Sequence, residues 1–216
     1  LNEIEVSGRS LRDGLLVDYL SRLPGFPHAE QLPVRETGIR QLGRSCCIDE
    51  VHAGHVTHLA VSLFDSSRIS QIHSLSDSDR EILSYASYLH DIGQFISFSS
   101  HHQHSYYVIT HAPLTGFHEH EIVKIALITR YHRKRMPREK DAGFRLLPAE
   151  EQHAVRILSL YLRMAENLDR SHDGRVTSAT LFSRKKNTIC LLIRCRHDCT
   201  LEEWAIRSEA AIFEEV

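Results

Sequence analysis

Asp49-Glu50-Val51-His52-Ala53-Gly54-His55-Val56-Thr57-His58-Leu59-Ala60-Val61-Ser62-Leu63 is the stretch that decides the fold class. His52, Val56, Leu59, Ala60 and Leu63 fall at i, i+4, i+7, i+8 and i+11, one stripe of an α-helix, and Asp49 stands where an N-cap side chain is needed. A histidine therefore lies on the face this helix buries. His55 is on the same helix with Leu59 four residues on, but His52 shares its stripe with more of the apolar set.

Working outward, Ser76 to Asp79 offers an N-cap and negative charge for a helix that turns Ile82, Ala86 and Leu89 inward and reaches His90-Asp91-Ile92-Gly93, where Gly93 is a stop signal. Further helices are expected at 104–111, 119–132 and 149–169, the last with Ile157, Tyr161, Met164, Ala165 and Leu168 on one side. Val176 to Leu181 and Thr188 to Arg194 are rich in β-branched and apolar residues. The polar Arg184-Lys185-Lys186-Asn187 separates them, so they read as a hairpin. Leu201 to Val216 returns to helical spacing, with Trp204, Ile206, Ala210 and Phe213 as packing residues. The fold class expected is mainly α, with a small C-terminal β hairpin and a terminal helix.

Toward the N-terminus, a short strand around Ile4 to Val6 and a helix over Leu11 to Leu23 are expected. Pro24 to Arg44, with three prolines and three glycines, reads as a linker or long loop. The organisation expected is therefore a closing segment plus linker at 1–40, a helical domain at 41–173, and a hairpin and helix appendage at 174–216.

Composition sets the outer limits. A formal net charge of -2, 42% hydrophobic and 25% charged residues give no global pull toward nucleic acid or membrane. The sequence has no apolar run near the roughly 20 residues of a bilayer span, and a cytoplasmic location is expected. Five cysteines, with Cys46 and Cys47 adjacent and Cys190, Cys195 and Cys199 irregularly spaced, fit neither a disulfide framework nor zinc knuckles and read as reduced, mostly buried thiols. The unusual count is sixteen histidines, concentrated between His52 and His153.

Imidazoles mixed with carboxylates suit a divalent cation with open coordination positions, one that can engage a phosphoryl oxygen and activate water. His52, His90, Asp91 and Asp169 have that chemistry, each on or at the end of an amphipathic helix. On residues alone, two readings stay open: a metal site, or a hydrogen-bonded core histidine and capping aspartates. His101, His102 and His104 could extend the site or lie in a solvated loop, and His132 could meet phosphate or a second metal or cap its helix. The basic run Arg130, Arg133, Lys134, Arg135, Arg138 and Lys140 could gather a polyanion or be a solvated face. There is no glycine-rich phosphate loop of Walker type and no nucleophile elbow.

The order His52, His90-Asp91, Asp169 resembles the HD superfamily of metal-dependent phosphohydrolases. Finer strings, among them Leu89-His90-Asp91-Ile92-Gly93, Arg130-Tyr131-His132-Arg133-Lys134 and Ala165-Glu166-Asn167-Leu168-Asp169-Arg170-Ser171-His172, resemble the C-terminal region of the exopolyphosphatase and guanosine pentaphosphate phosphohydrolase family. Even Glu3 to Leu16 is similar to the closing segment of that family's preceding actin-like domain, to which exopolyphosphatase catalysis is attributed. The resemblance implies an HD-type helical bundle holding a divalent ion (Mn, Mg, Fe, Co or Zn) on His52, His90, Asp91 and Asp169. Beside that ligand set, Asp91 and His132 are expected to carry chemistry, and Arg133, Lys134, His102 and His104 to contact substrate. The partner implied is a phosphorylated small molecule or polyphosphate, with a homodimer left open. A non-catalytic polyphosphate-binding or regulatory module is the alternative.

Overall fold

A computed structural model describes residues 34–185 and 188–213; the strand and helix expected before residue 24 lie outside them. The described chain is mainly helical. Its long helices are α1 (Val34–Ser45), α2 (Glu50–Ile69), α3 (Asp77–Tyr88), α4 (His101–His111), α5 (Glu119–Arg130) and α6 (Ala149–Leu168). An antiparallel hairpin, β1 (Val176–Lys185) and β2 (Thr188–Cys195), follows, then α7 (Thr200–Ser208) and α8 (Ala210–Phe213). No described helix is long and apolar enough to cross a membrane.

The caps read from the sequence start the helices. Asp49 accepts from the amides of Val51 and His52, and Ser76 and Asp79 form a reciprocal capping box at the head of α3. α2 runs through the centre, packed against α3, α6 and β1, and its stripe of Val56, Leu59, Ala60, Leu63 and Phe64 is fully buried. α4 pairs with α5, and α5 packs on α3 and α6. His52 therefore enters the core on the same stripe as its apolar neighbours.

Several local expectations are corrected. α1 occupies Val34–Ser45, where the glycines suggested loop. At Gly43 a side chain would collide with Ile48 and Tyr88, which approach the missing Cβ position to 2.7 and 2.9 Å, so this glycine serves close packing. α4 begins at His101, not His104, so the histidine-rich segment is the first turn of a helix, with His101 and His102 buried. β1 continues through Arg184 and Lys185, which the sequence had suggested for the turn. Trp204, expected to pack, is 62% exposed. The buried stripe of α7 is instead Glu202, Ala205 and half-buried Ile206, which rotates Trp204 outward.

The cysteines also depart from expectation. Cys195 at the end of β2 and Cys199 just before α7 are disulfide-bonded, because the turn between them brings their Cα atoms to 6.4 Å. Of the others, Cys47 is exposed and Cys46 and Cys190 are half-buried.

Candidate metal centre

α3 ends at Tyr88, and the chain then turns through Leu89, His90 and Asp91 into a short 3-10 turn, Ile92–Phe95. The turn depends on Gly93, because a Cβ there would overlap the His101 carbonyl and the Ser105 amide of α4. Ser105 fastens the junction: its hydroxyl accepts from the Gly93 amide at 2.9 Å and donates to the His90 carbonyl at 2.8 Å. The His-Asp pair is thus held against the first turn of α4, and residues distant in sequence meet.

Three of the rings gathered here share one device. Nδ1 of His90, His101 and His132 lies 2.7, 3.0 and 2.5 Å from the backbone carbonyls of Ser87, Phe98 and Thr129 respectively, each three residues earlier. A carbonyl only accepts, so Nδ1 carries a proton in each ring, and Nε2 is the nitrogen left to meet a carboxylate or a cation. Those Nε2 atoms turn toward Asp91. His101 Nε2 is 3.1 Å from Asp91 Oδ1, His90 Nε2 is 3.6 Å from Asp91 Oδ2, and His101 and His132 Nε2 are 3.4 Å apart.

A second carboxylate closes the other side. Glu166 Oε2 on α6 is 3.1 Å from His90 Nε2 and 3.3 Å from His52 Nε2, while His52 Nδ1 is 2.7 Å from Asp169 Oδ2. Asp169 also accepts from the Gly174 amide at 3.0 Å, which fixes the carboxylate at the end of α6. His172 stacks on His52 with centroids 3.7 Å apart.

Electrostatics follows the geometry. Burial opposes charge on His52, but the carboxylates of Asp169 and Glu166 outweigh it and hold the ring's pKa up at about 10. His90 is likewise raised against its burial by Asp91 and Glu166. Burial opposes ionisation of Asp91 and Glu166, yet the surrounding imidazoles hold both well below the usual carboxylate range. Burial, reinforced by the charge of His90, pushes His132 down to about 3.

Whether these residues suit a metal can be judged from their unsatisfied atoms. His52 Nε2 and Asp91 Oδ1 are buried without a well-aligned hydrogen bond, although Glu166 Oε2 lies 3.3 Å from the first and His101 Nε2 3.1 Å from the second. Among the described residues three sets have ligand atoms all within 4.8 Å of one another: His52, His90 and Asp91; Asp91, His101 and His132; and His52, Glu166 and His172, the last with an exposed histidine. Rings anchored through Nδ1, with Nε2 atoms that converge on a carboxylate and can exchange a proton for a metal, are an arrangement suited to a borderline divalent cation. The donor set fits the group.

Of the residues singled out from sequence, His52, His90, Asp91 and His132 come together. Asp169 reaches His52 from the Nδ1 side of the ring, away from the converging Nε2 atoms. His55 stands 4.0 Å from Asp169 and outside all three sets. His102, Arg133 and Lys134 line a basin of about 530 Å³ with His101, His132 and Glu166. His104 is half-buried on α4 and is not part of that lining. Arg135, from the same basic run, is bound by Asp141 at 2.6 Å. Glu166 was missed because a glutamate inside a helix reads as surface; its place beside apolar Met164 and Ala165 was the available signal. A larger groove between α1, α2 and α3 is lined by ion-paired residues such as Arg80 with Asp65, and holds none of these histidines.

The fold and site define a helical domain whose centre is a histidine-carboxylate cluster built on the ends of five helices. Residues 34–210 match the family model described as Ppx/GppA phosphatase, domain III. The chain belongs to that family. It is also similar to a guanosine-5'-triphosphate,3'-diphosphate pyrophosphatase of Pseudoalteromonas atlantica, 28% identical over 166 residues. That match covers 76% of this chain and 31% of the relative, so the chain spans less than a third of the relative's length.

Proposed function

We propose that this domain is an HD-type, divalent-metal-dependent phosphohydrolase module acting on phosphate esters or anhydrides, with polyphosphate and guanosine pentaphosphate as the substrates suggested by its family. The observation that carries the reading is the convergence of three anchored imidazoles on Asp91. In it, His52, His90 and Asp91 hold one ion with Glu166 beside them, and Asp91, His101 and His132 hold a second. Asp169, expected as the fourth ligand, takes the part of orienting His52 through Nδ1. When bound, a divalent ion polarises a phosphoryl oxygen and lowers the pKa of water.

The remaining work belongs to the chain's own groups. Arg133 and Lys134 offset phosphate charge at the basin wall, and Lys134 is set there by its φ of 65° and by the buried Arg163, whose guanidinium donates to the Lys134 carbonyl. His102, pushed down to about 4 by burial and by Lys134, His101 and Arg133, stays neutral and offers a hydrogen bond without charge. The family likeness, with a match to less than a third of the relative, also supports an accessory module that binds rather than cleaves.

The test is phosphate release from tripolyphosphate and from GTP with Mn2+ added, in the wild type and in Asp91→Asn. Hydrolysis that needs the metal and falls at least about a hundredfold in Asp91→Asn supports the enzyme. Metal uptake without hydrolysis supports the accessory module. In Arg133→Ala/Lys134→Ala, substrate binding weakens and its salt dependence flattens while metal content stays constant.

A further inference from the structure

The mouth of the basin carries two aromatic side chains that the chemistry above does not use. Phe98, just before α4, is 72% exposed, and Trp204 on α7 is 62% exposed; both line the basin that also holds His101, His132, Arg133 and Lys134. Neither ring contributes to the core. Their neighbours in the sequence are committed to fixing the site: the Phe98 carbonyl accepts from His101 Nδ1, and Ala205, next to Trp204, is buried. The rings are therefore presented to the basin mouth by well-anchored backbone.

An inorganic phosphate chain has only charged oxygens and gains nothing from the negative face of an aromatic ring. A ligand with a flat, weakly polar ring at one end and phosphates at the other matches both ends of the basin. Its phosphates would meet Arg133, Lys134 and the imidazoles, and its ring would stack at the mouth. The cavity, about 530 Å³, is within the size range of small-molecule sites. The two acidic groups in the lining are already engaged, Glu209 by Arg163 at 2.7 Å and Glu166 by His90 at 3.1 Å, so the phosphate end keeps a basic character.

We infer that Phe98 and Trp204 form a base-stacking rim, so that this basin takes nucleoside polyphosphates in preference to inorganic polyphosphate. The inference rests on the proposed function for the phosphate end of the site and adds the two residues that would select between the ligand classes named there. Trp204 is the only tryptophan in the chain, which makes its emission a direct probe of the rim.

The experiment is a fluorescence titration of the 216-residue chain with β,γ-imido-GTP and with tripolyphosphate, repeated by calorimetry for Trp204→Ala. Saturable quenching by the nucleotide, affinity about tenfold above that of tripolyphosphate, and a loss of about tenfold in Phe98→Ala and Trp204→Ala are expected. Phe98→Tyr and Trp204→Phe should restore most of the nucleotide affinity, and tripolyphosphate binding should stay within about twofold throughout. Equal affinity for the two ligands, or nucleotide binding indifferent to both alanine variants, overturns the inference. Mn2+ uptake by the same samples keeps the two readings apart. Uptake without base preference removes the rim alone, and base-dependent quenching without uptake removes the metal reading and leaves the rim.

Discussion

His101 Nε2 and His132 Nε2 face each other at 3.4 Å, while Nδ1 of each ring is tied to a backbone carbonyl. Two neutral rings so anchored oppose lone pair to lone pair, an arrangement relieved by a proton or a cation between them. Burial pushes His132 down to about 3, so a proton is disfavoured there at neutral pH. If a cation is the partner, His132→Ala should remove about one ion per chain and Asp91→Ala should remove both, since Asp91 belongs to the two sets proposed to hold them, though not to the third, His52, Glu166 and His172. Elemental analysis with circular dichroism checks this; full metal content in Asp91→Ala would sink the site.

Asp169→Asn separates an orienting role from direct ligation. The carboxylate meets His52 at Nδ1, so its loss should weaken metal affinity about 10- to 100-fold without abolishing it. Glu166→Gln, on the Nε2 side of His52 and His90, should cost more. Competition with a chelator ranks the two, and an Asp169→Asn variant weaker than Glu166→Gln would return Asp169 to the ligand set.

Gly93→Ala should break the junction between the His-Asp turn and α4. The new methyl group cannot be accommodated because its nearest neighbours are backbone atoms of His101 and Ser105. Ser105→Ala, which leaves the buried Gly93 amide without its acceptor, should cost about 1–3 kcal/mol. Urea denaturation measures both, and Gly93→Ala should be the more damaging of the two.

His73 predicts a pH dependence independent of any metal. Its Nδ1 accepts from the Leu75 amide at 3.1 Å and its Nε2 donates to the Phe64 carbonyl at 3.1 Å, an arrangement only the neutral ring satisfies. Burial lowers its pKa in the folded state, with Arg68 adding to the effect. The folded protein therefore binds fewer protons than the unfolded chain. The contribution is complete above the unfolded pKa of about 6.5 and is lost as pH falls from there through the folded value. Urea midpoints between about pH 7.5 and 5.5 should fall in the wild type and fall less in His73→Gln. Equal slopes would remove His73 as a source.

Asp79 acts at lower pH. Burial opposes its charge, but hydrogen bonds from Ser76 and from Lys124, 3.0 Å away, hold its pKa below the usual aspartate value. Its stabilisation is present above the unfolded pKa of about 3.9 and is lost as pH falls through the folded one. Lys124→Met should destabilise by about 3 kcal/mol at neutral pH by leaving a largely buried carboxylate without its partner. Denaturant unfolding of the two proteins at neutral pH measures the difference.

Apart from α1 and the first turn of α4, the sequence by itself determined the long helices, the caps at Asp49 and Ser76 and the hairpin, because these follow from neighbours within a few residues. Asp49 and Ser76 cap because the amides they satisfy are two or three positions on, and His52 is buried because Val56, Leu59 and Leu63 carry it inward. Where a glycine or a phase of the pattern had two meanings, as at Gly43 and Trp204, local reading chose the wrong one. Only the tertiary structure decided which ring nitrogens are tied to backbone carbonyls, that His101 and Glu166 enter the cluster, and that Asp169 approaches His52 from its Nδ1 side. Those outcomes depend on contacts between residues as far apart as His52 and Asp169 or His90 and Glu166, and on rotations about side-chain bonds. The periodicity of a helix specifies a face; the distance between two atoms on different helices is set by the packing of everything between them.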